Sequence, residues 1–279
     1  MANKTAVLFK CYYHNKSALK EFNRIKSSCD TELFDVFLSY DNTRRDLKKT
    51  PGTKYHVFDT EMIGNRYTEV YKVKNASLWK NTEHSTIDFC LKYPGYSHYW
   101  VVDHDVRFTG DWKSFFCSFM QSDADLIATY ISRYGEGNWH NEVEENWWPW
   151  KSGNIIMDDS NKVRAFFATY RFSRRALELL DRKYISGIEG FCEMVVPTLL
   201  SHEGYSLQDI GKEYYDEKTF NFFNRVVKPG KEKNKLYHPV LPISKVAIRK
   251  IQGLKKQVEV AYKQSKLYKY ASYYINKLS

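Results

Sequence analysis

The sequence predicts an α/β protein with a mostly parallel central sheet flanked by helices. Short apolar segments alternate with helical patterns from the first residues onward, the order expected when helices cover a parallel sheet. Residues 99–102 form an uninterrupted apolar run, the pattern of a strand buried inside such a sheet. The chain has 279 residues, 43% of them hydrophobic, which suffices for one large core.

The first part of the chain has the pattern strand, helix, strand, strand. Residues 5–9 form the first predicted strand, and Ser17 is expected to cap a helix that continues to residue 27. Residues 32–39 and 55–58 are the second and third predicted strands. This order favours parallel pairing of the strands.

The middle of the chain continues the alternation of helices and strands. A helix predicted over residues 75–93 ends at a Pro-Gly pair and leads into the apolar run at 99–102. A further helix over residues 112–120 is expected to bury three phenylalanines, and a strand follows at 124–130.

Residues 135–150 show neither a helical nor a strand period, although they hold four of the seven tryptophans. Long loops inside compact domains are usually functional, and exposed indole rings suit the faces of sugars. The loop is therefore predicted to bind a sugar acceptor, and a small satellite core built from the same rings is the alternative. The tryptophans concerned are Trp139, Trp147, Trp148 and Trp150.

Two acids follow the next strand and helix. The strand is predicted over residues 165–172, and Ser173 is expected to cap the helix over 174–183. Glu189 and Glu193 then lie in a glycine-containing segment at the start of another apolar helix. An acid near a helix N-terminus also favours the positive end of the helix dipole, so both residues have a structural interpretation beside a chemical one.

Residues 244–279 differ from the rest of the chain in charge. This tail has nine Lys or Arg residues and one acid, a net charge of +8 out of +10 for the whole chain. Its apolar residues recur at three- and four-residue steps, which predicts an amphipathic helix with a basic face. Such a helix is expected to bind a membrane surface, and packing on the body or in a homo-oligomer is the alternative. The predicted division is a body, 1–243, and a tail, 244–279.

The five cysteines predict neither a disulfide framework nor a zinc site, because their number is odd and no two form a Cys-x-x-Cys pair. A reducing, cytoplasmic environment is the simplest expectation. Neither a signal peptide nor an apolar run long enough to span a bilayer is recognised. We therefore expect a cytoplasmic protein that is peripheral on the inner face of the cytoplasmic membrane.

Asp103 and Asp105 are the first candidates for chemistry. They directly follow the apolar run at 99–102, and a Thr-Gly-Asp-Trp turn comes soon after them. Open α/β sheets bind ligands outside the carboxyl ends of their strands. Two carboxylates there suit Mg²⁺ or Mn²⁺, which usually take one or two protein carboxylates together with substrate phosphates.

The segment Trp-Val-Val-Asp-His-Asp-Val-Arg-Phe-Thr-Gly-Asp-Trp, residues 100–112, resembles the Asp-x-Asp metal motif of the GT-A glycosyltransferases. Within that class it is similar to a bacterial surface-polysaccharide type that acts in lipopolysaccharide O-antigen or capsule synthesis. The resemblance implies a GT-A, Rossmann-like fold and a metal-dependent hexosyltransferase. Its donor would be a UDP-sugar, with galactose as the first guess, and its acceptor a lipid-linked glycan.

The resemblance also implies roles for individual residues. Asp103, Asp105 and His238 would hold Mn²⁺ or Mg²⁺. If the reaction inverts the anomeric centre, Glu193, or as second choice Glu189, would be the general base that takes the acceptor proton. The residues expected to contact the nucleotide sugar are Lys10, Tyr13, Asp41, Trp79, His84, Asp103 and His104.

Two other classes of protein are alternatives. A metal-dependent nuclease or phosphohydrolase would also use Asp-x-Asp and a basic tail, but the nearly neutral body argues against nucleic acid as a partner. A non-catalytic, membrane-associated glycan-binding module would use the tail and the tryptophans, with the aspartates only in a turn. The sequence has no P-loop and no Gly-x-Gly-x-x-Gly fingerprint, which counts against an NTPase or a dinucleotide-binding protein.

Overall fold

The structure, a computed structural model, describes residues 4–12, 16–29, 31–72, 78, 80–134, 136, 154, 159–220 and 228–241. Several residues singled out by the sequence lie outside the described ranges. They are Tyr13, Trp79, Trp139, Trp147, Trp148, Trp150 and the predicted tail, residues 244–279.

The described residues form nine strands. They are β1 (Thr5–Cys11), β2 (Phe34–Asp41), β3 (Lys54–Phe58), β4 (His98–Asp103), β5 (Arg107–Phe108), β6 (Leu126–Arg133), β7 (Val163–Ser173), β8 (Leu207–Asp209) and β9 (Leu236–Tyr237). Seven of them make one sheet in the order β3-β2-β1-β4-β7-β6-β8, and β5 pairs with β9 in a small second sheet. Only β7 runs antiparallel to its neighbours within the described seven-stranded sheet. The predicted α/β fold with a mostly parallel sheet is therefore confirmed.

The order of the strands reverses direction at β1. Strands β2 and β3 lie on one side of β1, and the next strand along the chain, β4, lies on the other side. A crevice outside the carboxyl ends of two such strands is the usual ligand site in open α/β sheets. Lys10 and Asp103 are register partners near the ends of β1 and β4. The carboxyl end of these two strands, where a ligand is expected, therefore carries one basic and one acidic side chain.

Seven helices accompany these strands in the described ranges. They are α1 (Lys16–Cys29), α2 (Thr60–Arg66), α3 (Thr68–Tyr71), α4 (His84–Lys92), α5 (Trp112–Cys117), α6 (Arg174–Ile185) and α7 (Cys192–His202). The Ser173 hydroxyl accepts a hydrogen bond from the Ala176 amide at 3.2 Å, which confirms the predicted cap of α6. Of these helices, none is both long and apolar enough to cross a membrane.

Two hydrophobic clusters cover the two faces of the sheet. Alternate residues of β1 and β4 enter opposite clusters: Leu8 and Val101 face the side of α4, α6 and α7, whereas Phe9 and Val102 face the side of α1 and α5. This double burial explains why β1 and β4 have continuous apolar sequences. The two strands that carry Lys10 and Asp103 are therefore buried on both faces of the sheet.

Three element predictions need correction. The predicted cap Ser17 lies inside α1, which begins at Lys16, and its hydroxyl instead accepts a hydrogen bond from the Arg107 guanidinium at 2.9 Å. Of the helix predicted over residues 75–93, the described residues 78 and 80–83 are not helical, and α4 begins at His84. The helix predicted to reach residue 120 ends at Cys117, because the following residues form turns.

Candidate active site

A cavity of about 730 Å³ opens at the carboxyl ends of β1, β2 and β4. Its walls come from the carboxyl ends of β1 to β4, the turn before α4 with the first turn of that helix, the middle of β7, the start of α7, and the segment after β9. This is the switch point of the sheet, where a ligand site is expected. The side chains of the predicted metal and nucleotide residues that line it are Lys10, Asp41, Asp103, His104, Asp105 and His238.

The carboxylate pair is placed by a tight turn at the end of β4. The Val106 amide donates to the Asp103 carbonyl at 3.0 Å, and this turn carries Asp105 back toward the cavity. The Val240 amide donates to the Asp105 carbonyl at 2.8 Å, so the segment after β9 is fixed to the same turn. Both aspartates line the cavity, as a ligand-binding role requires.

His238 reaches the aspartates because β5 pairs with β9. Arg107 lies opposite Tyr237 in this two-stranded ladder, which brings the residue after Tyr237 beside the residues before Arg107. The His238 Nε2 atom lies 3.5 Å from the Asp105 Oδ1 atom. The imidazole thus lies beside Asp105 in the wall of the cavity, which Asp103 also lines.

The two carboxyl groups have different electrostatic environments. Burial raises the pKa of the Asp103 carboxyl to about 7; Lys10 opposes this shift and Asp105 adds to it. Burial also disfavours the ionised form of Asp105, but His104 and His238 hold the pKa of its carboxyl below the ordinary value. Asp105 is therefore the carboxylate that is ready to bind a cation at neutral pH.

The carboxylates of Asp103 and Asp105 and the imidazole of His238 suit a hard divalent cation whose other coordination positions are open to a substrate. Within the described residues no three His, Cys, Asp or Glu side chains are close enough together to enclose a metal ion by themselves. The Asp105 Oδ1 and His238 Nε2 atoms are 3.5 Å apart, close enough to bind the same metal ion, and Asp103 lines the same cavity. Mg²⁺ and Mn²⁺ commonly take one or two protein ligands and complete their shell with phosphate oxygens and water.

Lys10 supplies positive charge to the same cavity. Its Nζ atom donates to the Thr82 carbonyl at 3.0 Å, and both residues line the wall. An ammonium group beside Asp103 lowers the repulsion that the carboxylate pair would exert on an anionic ligand. This side of the cavity is therefore suited to phosphate.

The end of β2 adds polar residues that sequence reasoning only partly identified. Asp41 lines the cavity, and its Oδ1 atom accepts a hydrogen bond from the Thr43 amide at 2.9 Å. Arg44 also lines the cavity and is exposed. Tyr12 lines it as well, is 48% exposed, and packs edge-on against His104 at a ring distance of 4.6 Å. Neither Arg44 nor Tyr12 was predicted, although Tyr12 is the neighbour of the predicted Tyr13.

The opposite wall carries one of the two predicted acids. Glu193, in the first turn of α7, lines the cavity, and its Oε1 atom accepts a hydrogen bond from the Phe167 amide at 3.4 Å. Gly190, with a φ of +149°, turns the chain into this helix. Glu189 lies before that turn and is not among the residues of the cavity wall; its backbone bonds to Asn154.

His84 does not face the cavity, as a residue that contacts the nucleotide sugar would. Its side chain is fully buried, and its Nδ1 atom is 3.3 Å from the Tyr71 hydroxyl. Burial lowers the pKa of the imidazole to about 3, and Lys10 acts in the same direction. The neighbours Thr82 and Ser85 line the cavity in its place.

The solved structures that are similar to this chain share little of its sequence. No family model and no curated protein sequence matches the chain. A solved structure of an active-site mutant of LgtC is 10% identical, with a TM-score of 0.42, covering 75% of this chain and 74% of that one. The inositol-1-phosphate CTP transferase from T. maritima is 11% identical, with a TM-score of 0.41 and coverages of 75% and 86%. A glycosyltransferase involved in glycosylation of the major capsid of PBCV-1 is 11% identical, with a TM-score of 0.33 and coverages of 65% and 65%.

Proposed function

We propose that this chain is a metal-dependent glycosyltransferase of the GT-A type, which moves a sugar from a nucleoside-diphosphate donor to a glycan acceptor. One observation carries the proposal. Two carboxylates and an imidazole share a cavity with Lys10 at the switch point of a mostly parallel sheet. Hard ligands beside an ammonium group are the combination that a cation-bound diphosphate needs.

In this proposal each wall of the cavity has a separate task. Asp105 and His238, with Asp103, would hold the cation, and a bound cation would offset the charge that grows on the leaving diphosphate. Lys10 adds a fixed positive charge next to the same phosphates. The residues at the end of β2, with Tyr12, surround the nucleoside part of the donor.

The finer assignments of the proposal follow from the resemblance at residues 100–112. They are UDP-galactose as the donor, a lipid-linked glycan of bacterial surface-polysaccharide synthesis as the acceptor, and Mn²⁺ or Mg²⁺ as the cation. An imidazole ligand favours Mn²⁺ over Mg²⁺. The tryptophan-rich loop as acceptor site, and the tail as contact to the inner membrane surface, remain parts of the proposal that concern residues outside the described ranges.

The direct test is a screen of nucleotide sugars for release of the nucleoside diphosphate, with Mn²⁺ and with EDTA. We expect release from one donor class, dependent on the cation, and stabilisation of the protein against thermal unfolding by UDP only when Mn²⁺ is present. Stabilisation by an oligonucleotide instead of UDP would support the nuclease alternative. Cation-independent binding of glycans without any release of nucleotide would support the binding module.

Glu193→Gln tests whether this acid takes the acceptor proton. If the reaction inverts the anomeric centre, we expect kcat to fall by about 10²- to 10⁴-fold, because the amide cannot accept the proton, while UDP affinity stays the same. Steady-state transfer assays and calorimetric UDP titrations measure the two quantities. Glu189→Gln is the matched control, since it removes the same charge just outside the cavity wall. Unchanged kcat in Glu193→Gln would rule out the base role.

A further inference from the structure

Tyr130 of β6 is a strained residue that the proposed reaction leaves without a task. Its φ is +56°, in the left-handed region, which residues other than glycine seldom adopt. It lies in a β-bulge, because β6 advances three positions from 129 to 132 while its partner β7 advances two, from 166 to 164. Strained residues persist only where the surrounding structure fixes them, and they cluster at functional sites.

The bulge changes the face of the sheet to which β6 directs its side chains. Leu126 and Ala128 belong to the cluster on the side of α4, α6 and α7, whereas Ile127 belongs to the cluster on the side of α1 and α5. Regular alternation would place Tyr130 in the first of these clusters. Instead Tyr130 packs against the second cluster and Ile131 against the first. The bulge therefore turns the Tyr130 side chain to the opposite face.

On that face Tyr130 is fixed by hydrogen bonds at both its backbone and its side chain. Its amide donates to the Tyr215 hydroxyl at 2.9 Å, and that hydroxyl donates to the Asp209 carboxylate at 2.8 Å. Its own hydroxyl donates to the carbonyl of Phe220, a fully buried residue, at 2.6 Å. The strained backbone thus directs the phenol to a single acceptor, the Phe220 carbonyl.

The segment that ends at Phe220 places His238. The His238 amide donates to the Thr219 carbonyl at 2.9 Å, and a parallel bridge pairs Phe220 with His238. The imidazole also packs against two rings, those of Phe166 at 5.2 Å and Phe220 at 5.5 Å. The Tyr130 hydroxyl is therefore one hydrogen bond away from the segment that supports the imidazole.

We propose that Tyr130 is a positioning residue, whose hydroxyl fixes Phe220 and thereby holds the His238 imidazole beside Asp105 for binding of a cation. The inference rests on the proposed function and deepens it, because it names a residue that orients one of the cation ligands. Groups that orient metal ligands change metal affinity although they do not touch the metal. Tyr130 is not among the residues of the cavity wall, so it acts through Phe220 and His238.

The test is a double-mutant cycle on UDP affinity, measured by calorimetry with saturating Mn²⁺. Tyr130→Phe removes the hydroxyl and keeps the ring, and His238→Ala removes the imidazole. We expect Tyr130→Phe to weaken UDP binding about fivefold in the wild-type background, the effect of one net hydrogen bond. In the His238→Ala background the same change should have no effect, because no imidazole is left to position.

Pulsed electron paramagnetic resonance of the complex with Mn²⁺ and UDP gives a readout that a merely structural role would not change. An imidazole nitrogen bound to Mn²⁺ couples to its electron spin. We expect this coupling in the wild type, its loss in His238→Ala, and a weaker coupling in Tyr130→Phe.

Tyr214→Phe is the matched control for the loss of a tyrosine hydroxyl. The Tyr214 hydroxyl donates to the Ser118 hydroxyl at 3.1 Å, away from the segment that supports His238. This variant should keep both the wild-type UDP affinity and the nitrogen coupling. Thermal unfolding of the ligand-free proteins sets the temperature of the measurements, so that every variant is folded when it is titrated.

The possible results separate the positioning role from the proposed function. If the wild-type protein binds no UDP with Mn²⁺, both fail. If it binds UDP and His238→Ala weakens binding, but Tyr130→Phe changes neither the affinity nor the coupling, only the positioning role fails. An equal loss from Tyr130→Phe in both backgrounds also overturns it, because the effect then does not pass through His238. If His238→Ala has no effect, the positioning role fails and the two aspartates remain as the proposed cation ligands.

Discussion

Asp105→Asn is expected to lower kcat/KM for the proposed sugar transfer about 1000-fold, a loss of about 4 kcal/mol in transition-state stabilisation. The amide has the shape of the carboxylate but not its charge, and it is a weaker ligand for a hard cation. Asp105 is the carboxylate whose pKa is held below its ordinary value despite burial, and its Oδ1 atom is 3.5 Å from His238. The Asp105→Asn variant therefore lacks the carboxylate that is ionised and ready to bind the cation.

The backbone contacts that hold the turn do not depend on the Asp105 side chain. The Val240 amide binds the Asp105 carbonyl, so the variant should keep its fold and unfold at nearly the wild-type temperature. Asp46→Asn is the matched control, because it removes one exposed carboxylate outside the cavity wall. Transfer rates are measured over a range of Mn²⁺ concentrations. If Asp105→Asn were as active as Asp46→Asn at low Mn²⁺, the Asp105 carboxylate would have no part in binding the cation.

The central strands were predictable from sequence because their surroundings are simple. β1 and β4 are buried on both faces, so nearly every residue between Thr5 and Phe9, and between Tyr99 and Val102, is apolar. The position of Asp103 follows directly, since a charged residue ends a run that is otherwise buried. The site at the switch point then follows from topology, once the strand order is inferred to be mostly parallel.

Other parts of the site depend on contacts between distant segments and leave little local pattern. His238 lies beside Asp105 only because β5 pairs with β9, and two-residue strands have no period to detect. His238 was indicated by resemblance alone. Tyr12 and Arg44 follow strands as many solvated loop residues do, so their composition gave no sign that they line the cavity.

The case of His84 shows how an error in a helix boundary changes the assignment of a side chain. A helix beginning at residue 75 was expected to direct His84 toward the donor, but α4 begins at His84 itself. Thr82, in the turn before α4, and Ser85, in its first turn, line the cavity, whereas the His84 side chain is buried in the core. Helix boundaries respond to tertiary packing, which single-sequence patterns do not contain.

Asp125→Ala is expected to destabilise the protein by about 3 kcal/mol, because a buried carboxylate that joins three segments is lost. Asp125 is 0% exposed and lies just before β6. It accepts hydrogen bonds from the Ser173 hydroxyl at 2.7 Å, the Ser206 amide at 3.0 Å and the Arg175 guanidinium at 2.6 Å. The carboxylate thus connects the end of β7 and the approach to β8 with β6. The Arg175 side chain is largely exposed, so water screens its charge and Arg175→Ala should be much milder.

The pH dependence of this loss distinguishes a buried carboxylate from a simple packing defect. Burial opposes ionisation of Asp125, yet the hydrogen bonds from Arg175, Ser173 and Ser206 hold the pKa of its carboxyl below the ordinary value. A depressed pKa contributes stability above the unfolded pKa of about 4, and this stability is lost as the pH falls through the folded value. Urea unfolding at pH 7 should therefore show the full difference between Asp125→Ala and wild type, and unfolding near pH 3 a smaller one. Asp123→Ala is the control, since Asp123 is an exposed acid two residues earlier. An equal loss of stability in that variant would contradict the role of the buried charge. A loss of stability from Asp125→Ala that is the same at both pH values would also contradict it.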